Sequence, residues 1–356
     1  MLRLERLPQD SRVMAWCSPL LAVLCTLITG GILFAALGHN PFTSLYSFFL
    51  GGVTDLYSLG ELGVKVTPIL LCATGLLLCY RANVWNIGAE GQFVAGGLCG
   101  GMVALAGLDN DSSYYTILIL LAGMAGGMFW AGIAAWLKTA FQCNEILTTI
   151  MLNYIAFHLL QYGVHGPLRD PDGFNFPESA LFNDNHLMPI LIEGTRLHLG
   201  IVLAAVAVIG LIIVLRYSHL GFKITVQGKD DSAARFAGFS SKGLTWLVLL
   251  VCGALAGLAG AAEVDGPVGQ ITPYIASGYG YAAIIVVFLG RQSPFGIVLA
   301  SILLGLTYLG GEVAQIKLSL PVSLTELFQG MLLFFLLACD LFIGYRIRFV
   351  RRPATA

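Results

Sequence analysis

The stretch Cys79-Tyr-Arg-Ala-Asn-Val-Trp-Asn-Ile-Gly-Ala-Glu-Gly-Gln-Phe-Val-Ala-Gly-Gly97 sets Arg81, Asn83, Asn86, Glu90 and Gln92 between two long apolar segments. In hydrocarbon a charged side chain costs at least a few kcal/mol, and an unpaired backbone polar group costs about as much. A polar cluster at such a place therefore needs a structural or functional reason. Asn86 is a good N-cap, and Glu90 falls in the first turn of the helix it would open, where the helix dipole favours a carboxylate. The plainer reading is a capped helix start at a membrane edge. The sharper one is a helix that starts inside a polar cavity, with Asn83, Asn86, Glu90 and Gln92 lining it.

Composition supports the membrane setting on both sides of this stretch. The chain has 356 residues, of which 57% are hydrophobic and 11% charged, with a mean hydropathy of +0.82. Soluble domains carry about 25% charged residues. Apolar segments recur throughout, so residues 1–356 read as one all-α, polytopic membrane domain. A net charge of −1 says nothing about partners, and no basic stripe suggests nucleic acid. The eight cysteines lie in or beside apolar segments without a Cys-x-x-Cys pair, as small buried hydrophobes do. His158 and His165 lack ligand spacing, so no metal site is expected.

Ten spans are expected. The first follows Arg12 and runs to Leu37, too long for a signal-peptide core and without a small-residue cleavage site. Residues 42–52 are amphipathic and too short to cross. The next four are Leu59–Tyr80, Ile87–Leu108, Tyr114–Leu137 and Glu145–Val164. A turn-rich loop, 165–197, precedes the sixth span, His198–Leu215, and a second polar loop, 216–243, precedes the seventh, Leu244–Val264. Residues 270–290 and 294–311 form a pair broken at Gly290-Arg-Gln-Ser-Pro294, and Ser323–Tyr345 is the tenth.

With both termini cytoplasmic, fifteen of the 19 lysines and arginines fall on the inner side, as the positive-inside rule requires. Loop 165–197 is then extracytoplasmic and loop 216–243 cytoplasmic. Small residues at Gly96/Gly100, Gly97/Gly101, Gly123/Gly127 and Gly253/Gly257 have the spacing of close helix contacts.

Enzyme signatures are missing: no His-Glu-x-x-His, no Gly-x-Ser-x-Gly, and no phosphate loop around Gly228-Lys229. The segment Gly228-Lys-Asp-Asp-Ser-Ala-Ala-Arg-Phe-Ala-Gly238 reads instead as a two-turn helix about 10 Å long. Asp231 or Ser232 would cap it, Ala233 and Ala234 favour it, and Gly238 ends it. It is either a plain surface helix or a rigid knob for a cytoplasmic motor.

Four stretches are similar to the permease subunits of type II ABC importers, the group that handles ribose, branched-chain amino acids and nucleosides. They are Asn83-Val-Trp-Asn-Ile-Gly-Ala-Glu-Gly-Gln92, Asn144-Glu-Ile-Leu-Thr-Thr-Ile-Met-Leu-Asn-Tyr154, the 228–238 segment and Gly280-Tyr-Ala-Ala-Ile-Ile-Val-Val-Phe-Leu-Gly-Arg291. The resemblance covers nearly the whole chain. His165-Gly-Pro-Leu-Arg-Asp-Pro-Asp-Gly-Phe-Asn-Phe-Pro177 and the long N-terminal portion look most like the larger permease of a nucleoside or simple-sugar importer. It implies a bacterial inner-membrane location, a cytoplasmic ABC ATPase that holds ATP and Mg, a second permease (a heterodimer before a homodimer) and an extracytoplasmic binding protein. This chain would carry no cofactor of its own. It also implies that Gly228, Lys229, Asp230, Ala233, Ala234, Arg235 and Gly238 couple to the ATPase.

The polar residues fit a neutral, hydroxyl-rich solute that needs hydrogen bonds and no counter-ion. Most are amides: Asn83, Asn86, Gln92, Asn144, Asn153 and Gln161. Glu90 and Glu145 are the ionisable exceptions, expected near cytoplasmic span starts within reach of water. Asn144 and Asn153 are nine residues apart, so at most one faces a given cavity. Two other classes compete: an ion-coupled secondary transporter using Glu90 or Glu145, which would carry more intramembrane acids, and a membrane-embedded enzyme, disfavoured by the missing nucleophile and metal sets.

Overall fold

The structure is a computed structural model that describes residues 2–6, 12–49, 51–108, 110–112, 114–275, 277–318, 321 and 323–349. A short strand, β1 (Leu2–Arg6), precedes α1 (Arg12–Ala36), α2 (Pro41–Phe49), α3 (Leu56–Arg81), α4 (Ala89–Ala106), α5 (Tyr114–Phe141) and α6 (Glu145–His165). After loop 165–197 come α7 (Gly200–Tyr217), α8 (His219–Lys229), α9 (Asp231–Phe236) and α10 (Ser241–Glu263). A π-helical turn, Val264–Val268, extends α10; α11 (Tyr279–Leu289), α12 (Pro294–Leu318), α13 (Ser323–Gly344) and β2 (Tyr345–Phe349) complete the chain.

The residues divide into two compact units, one of Met1–Gly52 with Leu306–Ala356 and one of Val53–Gly305. In the first, α1 packs on α13 and α2. Phe34, Phe48 and Phe328 form its core, with the Phe48 and Phe328 rings stacked at 4.6 Å. β1 and β2 pair antiparallel, from Leu2↔Phe349 to Arg6↔Tyr345, a ribbon that apolar patterning did not anticipate.

In the second unit α10 is the central helix, packed on α3, α4 and α5. Glycine makes this possible. A Cβ at Gly96 would lie 2.2 Å from Gly257 Cα, and one at Gly127 would lie 2.1 Å from the Gly253 carbonyl oxygen. Three of the expected small-residue pairs thus form the α4–α5–α10 contact, where backbones must approach because lipid offers no hydrophobic drive.

Among the described residues, seven helices are long and apolar enough by themselves to cross a membrane, in α1, α3, α5, α7, α10, α12 and α13. Helices α4, α6 and α11 occupy the expected third, fifth and eighth spans but fall outside that set. The expected eighth span, 270–290, is half helix. Gly269 and Gly278 both take left-handed φ (71° and 80°), and only the 11 residues of α11 are helical, about 16 Å. The described residues before α11, 270–275, form no helix, and loop 165–197 bonds to Ile271 and to the residues just before it. Ser179 N–H donates to the Ile271 carbonyl (3.0 Å), Phe182 N–H to Gly269 (2.9 Å) and Met188 N–H to Asp265 (3.1 Å).

Candidate functional site

The expected helix break is real, and it has a partner. α4 opens at Ala89 and α11 opens at Tyr279, and their N-termini meet around Glu90. The Gly278 N–H donates to Glu90 Oε1 (2.9 Å) and the Gly280 N–H to Oε2 (2.7 Å). One carboxylate thus sits in the first turn of its own helix and satisfies the orphan amides of another, at the positive end of both dipoles. Glu90 is 6% exposed. The expectation that water reaches it therefore fails, because α11 closes over it.

The neighbouring amides close the rest of the break. Asn86 is not the N-cap; that position is Gly88, which makes no side-chain cap bond. Asn86 Oδ1 instead accepts from the Gly88 N–H (2.9 Å), and its Nδ2 donates to Gln92 Oε1 and to Cys252 Sγ (both 3.2 Å). The Tyr80 hydroxyl donates to the Asn86 carbonyl (3.0 Å). From α6, Thr149 Oγ1 accepts from the Ile87 N–H (3.1 Å) and Asn153 Oδ1 from the Gly91 N–H (2.8 Å). Asn153 Nδ2 donates to the Ile87 carbonyl (2.8 Å) and to the Tyr281 hydroxyl (3.1 Å). Cys252 lies about 16 Å along α10 from its first residue, so this network is well inside the helical bundle. Asn86, Glu90, Gln92 and Asn153 are all buried, and each has partners within the chain.

Asn83 and Asn144 are not brought to this network. Asn83 is exposed at a left-handed turn (φ 56°), where its Oδ1 accepts from Trp85 Nε1 (3.2 Å). It opens onto a cavity of about 510 Å³ that it shares with Lys138, Gln227, Arg235 and Lys242. Asn144 is the exposed N-cap of α6, accepting from the Ile146 N–H (2.9 Å). Of the pair Asn144 and Asn153, one faces the network, as their spacing requires. Glu145 pairs with Lys138 instead of standing free.

The 228–238 segment forms the expected short helix, α9, with a different cap. Asp230, not Asp231 or Ser232, accepts from the Ser232 and Ala233 N–H groups (2.8 and 3.2 Å). Gly238 ends the helix in left-handed conformation. Asp231 is instead the i,i+4 partner of Arg235 (2.6 Å). Gly228 packs on the Arg81 carbonyl at the end of α3, and Lys229 is exposed. Ala233 and Arg235 face outward, whereas Ala234 is fully buried within the chain. Sequence reasoning missed Phe236, which is 97% exposed beside them. It also missed Thr149 and Tyr281, whose roles depend on elements far away in sequence. The glycines at 278 and 280 and Pro273 were the available signal for the α11 break.

A family model described as branched-chain amino acid transport system, permease component, matches residues 58–337. The glucose ABC transporter permease protein TsgB13 of Haloferax volcanii is 34% identical, over 94% of this chain and 90% of its own length. The guanosine ABC transporter permease protein NupP of Bacillus subtilis is 30% identical over 93% and 94%. The nucleoside ABC transporter permease protein NupB of Lactococcus lactis is 27% identical over 89% of each.

Proposed function

The chain belongs to the permease-component family of branched-chain amino acid transport systems, and from that premise we propose that it carries a nucleoside, or failing that a simple sugar, inward across the bacterial cytoplasmic membrane. As an ABC importer permease it is a non-catalytic, multi-pass membrane component that works with an ATPase and a binding protein. ATP and Mg belong, in this reading, to the ATPase. The second permease is a different chain, and loop 216–243 is the cytoplasmic coupling loop.

The observation that carries the solute class is the state of the break. Facing half-helix N-termini are seats for anionic groups, such as an amino-acid carboxylate. Here Glu90, Asn86, Thr149 and Asn153 take the amides of residues 278, 280, 88, 87 and 91 for the chain itself. An anionic solute would meet a buried carboxylate there, with these five backbone amides already taken. This favours a neutral solute over an amino acid, in keeping with relatives named for guanosine, nucleosides and glucose. The paired terminal ribbon supports an even number of crossings, since it holds both ends of unit one together.

The test is ATP-driven uptake by proteoliposomes holding this chain with its ATPase, second permease and binding protein. Labelled guanosine, glucose and leucine are offered separately. Uptake of guanosine or glucose is expected; uptake of leucine alone would sink the reading.

A further inference from the structure

Of the polar residues that the sequence pointed to, Asn86, Glu90, Gln92 and Asn153 are buried and paired within the chain, so they offer a passing solute nothing. The exposed polar surface at the same depth lies next to them. On α6, Tyr154, His158 and Tyr162 stand at successive four-residue steps and therefore share one face. All three are exposed, Tyr154 at 59%. His158 lies about 20 Å along α6 from Glu145 and about 10 Å from its outer end. That is within hydrocarbon depth, where an ionisable side chain normally faces a protein interior or a water-filled cavity. α6 is also outside the seven helices that length and composition alone would let cross a membrane.

On α11, Tyr281 is 42% exposed and touches α6 at Asn153, the residue before Tyr154. Its hydroxyl accepts from Asn153 Nδ2 (3.1 Å), which keeps its own proton available for donation. It stands in the first turn of α11, the turn that Glu90 holds through Gly278 and Gly280. The buried network thus fixes an exposed tyrosine against α6 at Asn153, and on α6 Tyr154 follows Asn153 directly, with His158 one turn further along the same face.

We propose that Tyr154, His158 and Tyr281 form the solute-contacting patch of this permease, with Glu90 and Asn153 as the positioning residues that hold it. The class of ligand it suits is a neutral, planar, hydroxylated one. The tyrosine rings offer faces on which a heterocycle stacks, and the Tyr281 hydroxyl and the His158 imidazole offer hydrogen bonds to a ribose or base edge. The patch deepens the nucleoside reading above and rests on it.

The experiment uses the assembled importer in proteoliposomes and has two arms. In the first, single cysteines at 154, 158 and 281 are treated with a charged, water-soluble thiol reagent, with position 129 on α5 as the control. Phe129 is exposed and apolar, as a lipid-facing residue should be. The three patch positions are expected to react, and more slowly when guanosine and ATP are present; position 129 should stay inert. If the patch positions are as inert as 129, or cross-link to the second permease whether or not solute is present, the proposal is overturned.

The second arm measures guanosine uptake at equal amounts of assembled complex. Tyr281→Leu and His158→Leu are each expected to lower it about tenfold, the order of one lost stacking or polar contact to a base. Phe129→Leu should leave it unchanged. In a lipid-facing position His158→Leu would be neutral or stabilising, so wild-type uptake by that variant also overturns the patch. Wild-type complexes that show no ATP-driven guanosine uptake would refute the nucleoside reading itself, and the labelling arm would still decide whether the patch faces water.

Discussion

At Glu90 one carboxylate satisfies two backbone donors that lie 188 and 190 residues away in sequence. Glu90→Gln keeps the shape and one acceptor oxygen but turns an NH2 group toward a backbone N–H. Leaving a buried donor unsatisfied costs roughly 1–3 kcal/mol. The variant should therefore lose thermal stability by that order, and hydrogen exchange at residues 278–281 should quicken while the α10 core stays protected. Unchanged exchange there would show that the carboxylate does not hold α11. Asn86→Leu removes the acceptor for Gly88 and the contacts to Gln92 and Cys252, at a comparable cost of about 1–3 kcal/mol. Because Asn86 is buried within the chain, uptake per folded molecule should stay near wild type; a large loss at normal expression would return it to the solute path. The cluster from Asn83 to Gln92 was legible because polar residues in an apolar chain demand a reason. Their partners were not, since Thr149, Cys252 and Gly278 become neighbours only through packing.

For α9 the sequence marks where a helix forms but not which way it faces. Asp230, Asp231 and Ser232 are all good caps, and propensity alone does not rank them. Ala233 and Ala234 are equally small, and only packing sends Ala234 inward. The two sides of α9 should answer substitution differently. Ala234→Trp overfills a closed site and should destabilise the permease by about 1–3 kcal/mol with or without the ATPase. Phe236→Ala changes an exposed side chain and should shift stability by less than about 0.5 kcal/mol. It should nonetheless weaken co-purification with the ATPase and abolish hydrolysis stimulated by the loaded binding protein. Wild-type coupling by Phe236→Ala would leave α9 an ordinary surface helix. The same limit applies to α11. The apolar run Tyr279–Leu289, together with the mixed residues 270–278 before it, reads as one span; the half-span appears only where left-handed glycines and Glu90 set the helix start.

At the scale of the whole molecule, the helices between the loops decide which loops share a side of the membrane. Loop 165–197 is folded onto residues 264–271 at the far end of α10 from α9, and the two loops are separated by α7, a helix of 18 residues or about 27 Å. That length is close to the hydrocarbon thickness, so the loops should lie on opposite faces. Phe174 and Phe236 are the natural reporters, 93% and 97% exposed. Cys72, Cys79 and Cys252 are buried and sit in or near the break, so they are best kept, with the half-buried Cys17, Cys25, Cys99, Cys143 and Cys339 replaced. In that background a cysteine at 174 should react with an impermeant reagent applied to intact, outer-membrane-permeabilised cells, and one at 236 only after the inner membrane is opened. The excess of lysine and arginine around 216–243 predicts the same orientation. Bound ATPase should then shield position 236 and not position 174. If both positions react from one side, α7 does not cross, and the ten-span arrangement and the coupling role of α9 fail together. If 236 reacts from outside and 174 from inside, the spans stand but the orientation is reversed, and the motor would have to dock on loop 165–197.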